Sequence, residues 1–321
     1  MTTLSRILVI KLGAIGEFVL SLPAMQRIRE AHPRASITLL TTPRFETLAK
    51  SSRWFNAVVT EGEPDGLGET MSLVGWMRRC RFDRVYDLEN SSRTGFYFQA
   101  LKPFAPEWSG SAAGASLRHR NPRRGAMHVL ERNAEQLCDA GIWPDAPTAP
   151  GSAPPPDLSW ILKLHPQPRP VAGAVKPRPY VLLAPGGSSQ PDRRWPAENF
   201  AALAGRLSEN YDVVVVGEPE ESALARTIQR GARHVRDLTG RADFAQVAAL
   251  GARASLAVGN DSGAIHLVAA AGAPTIALFS PASDADISGP RGYVAILRSE
   301  RLCDLPVQQV AETARVLARS S

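Results

Sequence analysis

Cysteine is scarce in this chain, and long apolar runs are missing altogether. The three cysteines, Cys80, Cys138 and Cys303, stand far apart, with no Cys-x-x-Cys pair and no histidine at ligand spacing. That argues against a zinc centre or a disulfide framework and makes a reducing, cytoplasmic compartment the expectation. No apolar stretch reaches the roughly 18 residues of a membrane-spanning helix. The opening Met1-Thr-Thr-Leu-Ser-Arg-Ile-Leu-Val-Ile10 runs straight into a strand-like segment, without the apolar centre of a signal peptide. Aromatic residues are few, 7% of the chain, and are not interleaved with basic ones as nucleic-acid stacking platforms require, so nucleic acid is not an expected partner.

What is present is a globular balance, 44% hydrophobic and 21% charged over 321 residues, long enough for two domains with separate cores. The net charge of +6 suits an anionic partner such as a phosphorylated glycan or an acidic membrane surface. Short apolar runs at Ile7–Ile10, Ser36–Thr41, Ala57–Thr60 and Arg84–Leu88 alternate with helical segments at Phe18–Ala31, Arg44–Ala49 and Leu73–Cys80. Such alternation predicts a parallel sheet covered on both faces. The stretch Trp108–Gly125 lacks apolar periodicity and carries Arg118, His119, Arg120, Arg123 and Arg124, so it reads as a mobile basic loop. A helix over His128–Ala140 follows.

Residues 144–179 hold eleven of the 26 prolines, which predicts an extended connector with little regular structure. Beyond it the alternation resumes: strands Tyr180–Ala184 and Val213–Val216, and helices Ala197–Glu209, Glu220–Arg230 and Phe244–Leu250. Strand Ala254–Val258, helix Gly263–Ala271, strand Thr275–Phe279, strand Val294–Leu297 and helix Val307–Ala318 complete the series. The expected architecture is α/β, with two Rossmann-like domains, 1–165 and 176–321, facing each other across a cleft, and a last helix that packs back on the first domain.

Four constellations carry candidate chemistry. Gly13-Ala-Ile-Gly16-Glu17 follows the first strand but has neither the third glycine nor the acid of the dinucleotide fingerprint, which disfavours hydride transfer. Glu17 there either offsets a helix dipole or acts as a general base. Ala184-Pro-Gly-Gly-Ser-Ser189 with Arg193-Arg-Trp-Pro196 offers the backbone N–H groups, hydroxyls and cation that phosphate oxygens attract. Glu218, Glu220 and Glu221 follow a strand end, where a carboxylate is placed to hold a ribose diol. Asn260-Asp-Ser-Gly-Ala-Ile-His266 opens a helix, and its N-terminus suits an anion. His266 lies one turn inside that terminus and is either a core histidine or part of the site. Asp284-Ala-Asp286 stands in a Pro/Ser/Gly-rich loop without further acids and is discounted as a metal site.

Taken together, Ile7-Leu-Val-Ile-Lys-Leu-Gly-Ala-Ile-Gly-Glu-Phe-Val-Leu-Ser-Leu-Pro-Ala24, Pro185-Gly-Gly-Ser-Ser, Arg193-Arg-Trp-Pro196, Gly217-Glu-Pro-Glu-Glu221 and Asp261-Ser-Gly-Ala-Ile-His266 resemble glycosyltransferase family 9, the bacterial lipopolysaccharide heptosyltransferases. The resemblance spans nearly the whole chain. It implies a GT-B fold and inverting, metal-independent transfer of a sugar, usually heptose from ADP-heptose, to a lipopolysaccharide core or related glycan. By resemblance Glu17 is the catalytic base, at a position where the family pattern has Asp. Ser188, Ser189, Arg193, Glu221, Asp261, Ser262, Gly263 and His266 would bind the nucleotide-sugar donor. Lys11, Arg118, Arg120, Arg123 and Arg124 are the candidates for gripping an anionic glycolipid or glycan acceptor. No cofactor or metal is expected, and the enzyme would work in the cytoplasm or at the cytoplasmic face of the inner membrane. The competing expectation is a non-catalytic or differently specific nucleotide-sugar-binding protein of the same fold.

Overall fold

The aliphatic runs pair as parallel strands, and their order decides where a ligand can sit. The computed structural model describes residues 5–147, 149–164, 178–187 and 194–319, in two compact units, Met1–Pro154 and Pro155–Ser321. In the first unit the elements are β1 (Arg6–Ile10), α1 (Ile15–Leu20), α2 (Leu22–Ala31), β2 (Ser36–Leu40), α3 (Glu46–Ser52) and β3 (Ala57–Val59). They continue with α4 (Gly66–Cys80), β4 (Arg84–Asp87), α5 (Ser92–Leu101), β5 (Glu107–Gly110), β6 (Leu117–Arg118) and α6 (Val129–Asp139). The six strands lie in the order β3-β2-β1-β4-β5-β6. Ile10 pairs with Leu40 on one side and Asp87 on the other, so β1 is the strand at which the winding reverses. In a doubly wound sheet a crevice opens at the carboxyl ends of the two strands flanking that reversal.

The second unit repeats the plan. Its elements are α7 (Ile161–Leu164), β7 (Tyr180–Ala184), α8 (Ala197–Leu207), β8 (Asp212–Val215), α9 (Ser222–Gly231), β9 (Val235–Asp237) and α10 (Phe244–Gly251). Then come β10 (Leu256–Asn260), α11 (Gly263–Ala270), β11 (Thr275–Phe279), α12 (Ala285–Ser288), β12 (Val294–Arg298) and α13 (Val307–Arg319). The strand order β12-β11-β10-β7-β8-β9 puts the reversal between β7 and β10. Every residue of β7, β10 and β11 is buried, as expected of central parallel strands covered on both faces.

Several boundaries differ from the sequence expectations for identifiable reasons. The helix expected over Phe18–Ala31 is two helices that meet at Ser21, whose hydroxyl donates to the Glu17 carbonyl at 2.7 Å. Pro23, without an N–H, sits in the first turn of the second. Trp108–Gly125 is not simply a loop: it supplies β5 and β6. Glu107-Trp-Ser-Gly110 has no apolar run because its buried polar positions are satisfied by α6, where the Gln136 amide donates to the Ser109 carbonyl at 3.3 Å and the Asp87 carbonyl at 2.9 Å. Trp108 is fully buried and packs against Phe98 with ring centroids 5.2 Å apart.

α5 was not anticipated, although Ser91 and Thr94 form a reciprocal capping box at its start. The connector is partly built into the second unit. Leu158 and Ile161 are fully buried, and the Leu158 N–H donates to the Ala270 carbonyl at 2.8 Å. Val310, Ala311, Ala314 and Leu317 of α13 join the core of the second unit beside Leu256, Val258, Ile276 and Leu278.

The burial of Trp108 makes β5 a structural strand. Trp108→Ala should destabilise the protein by about 3–5 kcal/mol in urea or thermal unfolding, whereas a mobile loop would register almost no change.

Candidate active site

The turn after β1 is held by buried charge. Lys11 is fully buried, and its ammonium donates to Glu17 Oε2 and to Glu89 Oε2, each at 2.8 Å. Glu89 follows β4, so it stands on the far side of the reversal point and ties the two strand ends together. Its Oε2 also accepts the N–H groups of Leu12 at 3.0 Å and Gly13 at 2.9 Å. A side chain at Gly13 would put its Cβ 3.1 Å from both Glu89 oxygens, so a residue with no Cβ suits the close approach. The other Glu17 oxygen meets the Arg132 guanidinium of α6 at 3.3 Å.

Burial raises the pKa of Glu17, but Lys11 first and Arg132 second more than offset this and hold it below the ordinary carboxylate value. Glu89 is likewise lowered, with burial opposed by Lys11 and by the two turn N–H groups. Both are therefore carboxylates at neutral pH. Behind them burial pushes the Asp87 carboxyl up to about 6, although it accepts the Glu89 and Asn90 N–H groups at 3.1 and 2.9 Å.

The acceptor candidates divide. Lys11 cannot serve as an open contact, because its ammonium is buried between two carboxylates. Arg118, Arg120 and Arg123 are exposed, and Arg118 Nε donates to the Ser111 carbonyl at 3.3 Å. Arg124 turns inward instead, its guanidinium against His119 Nδ1. Burial, and then the neighbouring Arg132 charge, lower Arg124 to about 10, while Asp87, Glu135 and Glu17 act in the opposite sense. Glu89 and Arg132 were missed by sequence reasoning. A strand-end carboxylate directly after Leu88 was a usable signal for the first; nothing in the helical pattern around Arg132 marked the second.

In the second unit the corresponding crevice lies at the ends of β7 and β10. Asn260, fully buried, donates from Nδ2 to the Pro185 carbonyl at 2.8 Å and accepts the Trp195 N–H at 2.9 Å. The strand expected to end at Val258 thus extends two residues further and carries the polar tie itself. Glu221, at the end of a single turn after β8, accepts the Gly187 N–H through Oε1 and the Glu218 N–H through Oε2, both at 2.9 Å. Its carboxylate occupies the space that a side chain at Gly186 or Gly217 would fill: a Cβ there would lie 1.7 Å from Oε1 or 2.2 Å from Oε2.

Gly187 has φ 124° and would bring a Cβ within 2.8 Å of the Asp261 carbonyl oxygen, so the backbones after β7 and β10 approach closely. Ser262 occupies the N-cap of α11 without bonding a helix N–H. Its Oγ and the Nδ1 of buried His266 have no hydrogen-bond partner among the described residues. His266 Nε2 lies 3.6 Å from Asp261 Oδ1. Glu221, Asp261, Ser262, Gly263 and His266 therefore fall at the reversal point and its flank, while Ser188, Ser189 and Arg193 lie outside the described residues. Asp284 and Asp286 have structural roles: Asp284 accepts the Asp286 N–H at 2.8 Å, and Asp286 pairs with Arg298.

Two doubly wound parallel sheets, each with polar groups gathered where its winding reverses, define an α/β protein of the GT-B class. The sequence profile of "Glycosyltransferase family 9 (heptosyltransferase)" matches residues 70–310, and the chain belongs to that family of glycosyltransferase enzymes. It is 26% identical over 316 residues to lipopolysaccharide heptosyltransferase 2 of Salmonella typhimurium, covering 90% of this chain and 86% of that protein. The fold is that of the Escherichia coli ADP-heptose lipopolysaccharide heptosyltransferase II structure, with a TM-score of 0.79 and 24% identity over 98% of this chain and 99% of that one. It is also that of the E. coli heptosyltransferase WaaC solved with ADP, with a TM-score of 0.75 and 19% identity over 97% and 99% of the two chains.

The fit of Glu221 beneath two glycines yields a coupled prediction. Gly186→Ala should displace the carboxylate and cost about 1–3 kcal/mol in chemical denaturation. Adding Glu221→Ala to that variant should recover part of the loss, whereas Glu221→Ala alone should destabilise. Simple additivity in this double-mutant cycle would contradict the packing described.

Proposed function

We propose that the protein transfers heptose from ADP-heptose, with inversion, to an anionic lipopolysaccharide-core or related glycan acceptor. The observation that carries this is the second unit's crevice, where Ser262 and His266 present polar atoms with no hydrogen-bond partner among the described residues at the start of α11, in a chain whose relatives are named for that reaction. A diphosphate leaving group there would meet the free N–H groups and positive end of a helix, which stabilise charge as it develops without requiring a metal. Ser188, Ser189 and Arg193 would add hydroxyls and a cation, Asp261 and Gly263 would line the same pocket, and Glu221 would hold the nucleotide ribose.

Glu17 is the base in this reading. Its carboxylate takes the proton of an acceptor hydroxyl as that oxygen bonds to the anomeric carbon of the donor. The bond from that carbon to the diphosphate oxygen breaks, and ADP departs. A lowered pKa keeps Glu17 ionised and available at neutral pH, at some loss of base strength. The first unit, residues 1–165 in the sequence-based division, would bind the acceptor, and the second, 176–321, the donor. Arg118, Arg120 and Arg123 are exposed cations that suit an anionic acceptor, and Arg124 would act from its inward position. Exposed Leu67, Met71, Phe96 and Phe104, with no helix among the described residues long and apolar enough to span a membrane, support peripheral work at the cytoplasmic face of the inner membrane.

With ADP-heptose and a lipopolysaccharide-core acceptor, Glu17→Gln should lower kcat by about 10²–10⁴-fold while leaving thermal stabilisation by ADP intact. Glu17→Asp should retain activity well above that of Glu17→Gln. Wild-type turnover in Glu17→Gln would remove Glu17 from the mechanism. Stabilisation by other nucleotides and none by ADP would favour a differently specific nucleotide-sugar protein of the same fold.

A further inference from the structure

Glu89 has no part in the transfer just described, yet it accepts three of the hydrogen bonds that hold the β1–α1 turn. Its Oε2 takes Lys11 Nζ at 2.8 Å, the Leu12 N–H at 3.0 Å and the Gly13 N–H at 2.9 Å. The same buried ammonium reaches Glu17 at 2.8 Å. Two carboxylates, Glu17 in the first turn of α1 and Glu89 after β4, thus compete for one desolvated cation, and only one of them is the proposed base.

We propose that Lys11 and Glu89 are a positioning pair for Glu17: Lys11 aims and stabilises its carboxylate, and Glu89 limits that stabilisation by drawing off part of the ammonium's charge. The inference rests on the reading of Glu17 as the base. The charged groups facing Glu17 are Lys11 from the end of β1, Glu89 from the end of β4, Arg132 on α6 and Arg124 from the loop before α6, with Asp87 and His119 behind them. Without Glu89, Lys11 and Arg132 would both act on Glu17 uncompensated, and an ionised group held by two cations is a poor proton acceptor. Without Lys11, Glu17 and Glu89 would face each other as like charges, which drives the proton affinity of a carboxylate upward. The two deletions therefore act on Glu17 in opposite directions, which a purely structural role for the pair would not produce.

The test is the pH profile of kcat/KM for Glu89→Gln and Lys11→Met, with folding checked by circular dichroism at each pH. In Lys11→Met the acid limb should move up by about one unit or more, so that kcat/KM at pH 5 falls at least about threefold further below its pH 7.5 value than in wild type. In Glu89→Gln the ratio between those pH values should stay flat or flatten further, while the pH 7.5 plateau falls several-fold and the donor KM is unchanged. Lys11→Arg, which keeps the cation, should restore the wild-type ratio. Glutamine can still accept the Leu12 and Gly13 N–H groups, so Glu89→Gln decides the matter alone if Lys11→Met does not fold. An acid limb that stays put in Lys11→Met or moves up in Glu89→Gln, or a pH 7.5 plateau left unchanged by Glu89→Gln, with Glu17→Gln inactive, would overturn the positioning role and leave the base reading standing. Full turnover in Glu17→Gln would overturn both.

Discussion

A lysine ammonium with no access to water is the constraint on which the first unit depends. Removing such a charge from solvent costs several kcal/mol unless partners replace the hydration. Here they are the carboxylates of Glu17 and Glu89, at 2.8 Å each. Satisfying Lys11 fixes the turn after β1, the end of β4 and, through Arg132, the face of α6. Three segments distant in sequence are thus brought into register by one charge, at the point where the sheet reverses its winding. The acid that sequence reasoning picked out as a base is half of the solution to a burial problem, and for that reason its carboxylate is already oriented.

The second unit solves the same geometric problem with different chemistry. Its tie across the reversal is Asn260, whose amide joins the end of β10 to Pro185 after β7 and to Trp195 at the entry to α8. Glu221 adds a second tie from β8 to Gly187 and occupies space left by glycines. The tie in the second unit is thus a neutral amide. In the first unit the tie is a set of opposite charges, Lys11 held between Glu17 and Glu89.

Much of this was legible in the sequence. Aliphatic runs such as Tyr180–Ala184 and Thr275–Phe279 are buried strands because central parallel strands have no solvent face, and that pattern is visible without a structure. The glycine-bearing turns and the Asp261–His266 helix start were readable because backbone N–H geometry follows from local residue type. What escaped was satisfied at long range. β5 has no apolar run, and its buried Ser109 is met by Gln136, 27 residues further along the chain. Glu89 and Arg132 lie 72 and 115 residues from Glu17, and side-chain ion pairs over such separations leave no periodic trace. Lys11 was misjudged for the same reason: a lysine after a strand suggests an open cation until both acids that enclose it are known.

The Glu17 carboxylate, at a position where the sequence resemblance implies Asp, is held through both of its oxygens in this network. The longer side chain lets one carboxylate oxygen meet Lys11 while the other meets Arg132. Two cations lower proton affinity, and a base weakened too far would be ionised but ineffective. A second carboxylate on the same ammonium is the arrangement that prevents this without giving up the cation's positioning role. The acid at 17 and the acid at 89 therefore form one electrostatic unit, in which the charge that either carboxylate feels from Lys11 depends on the other.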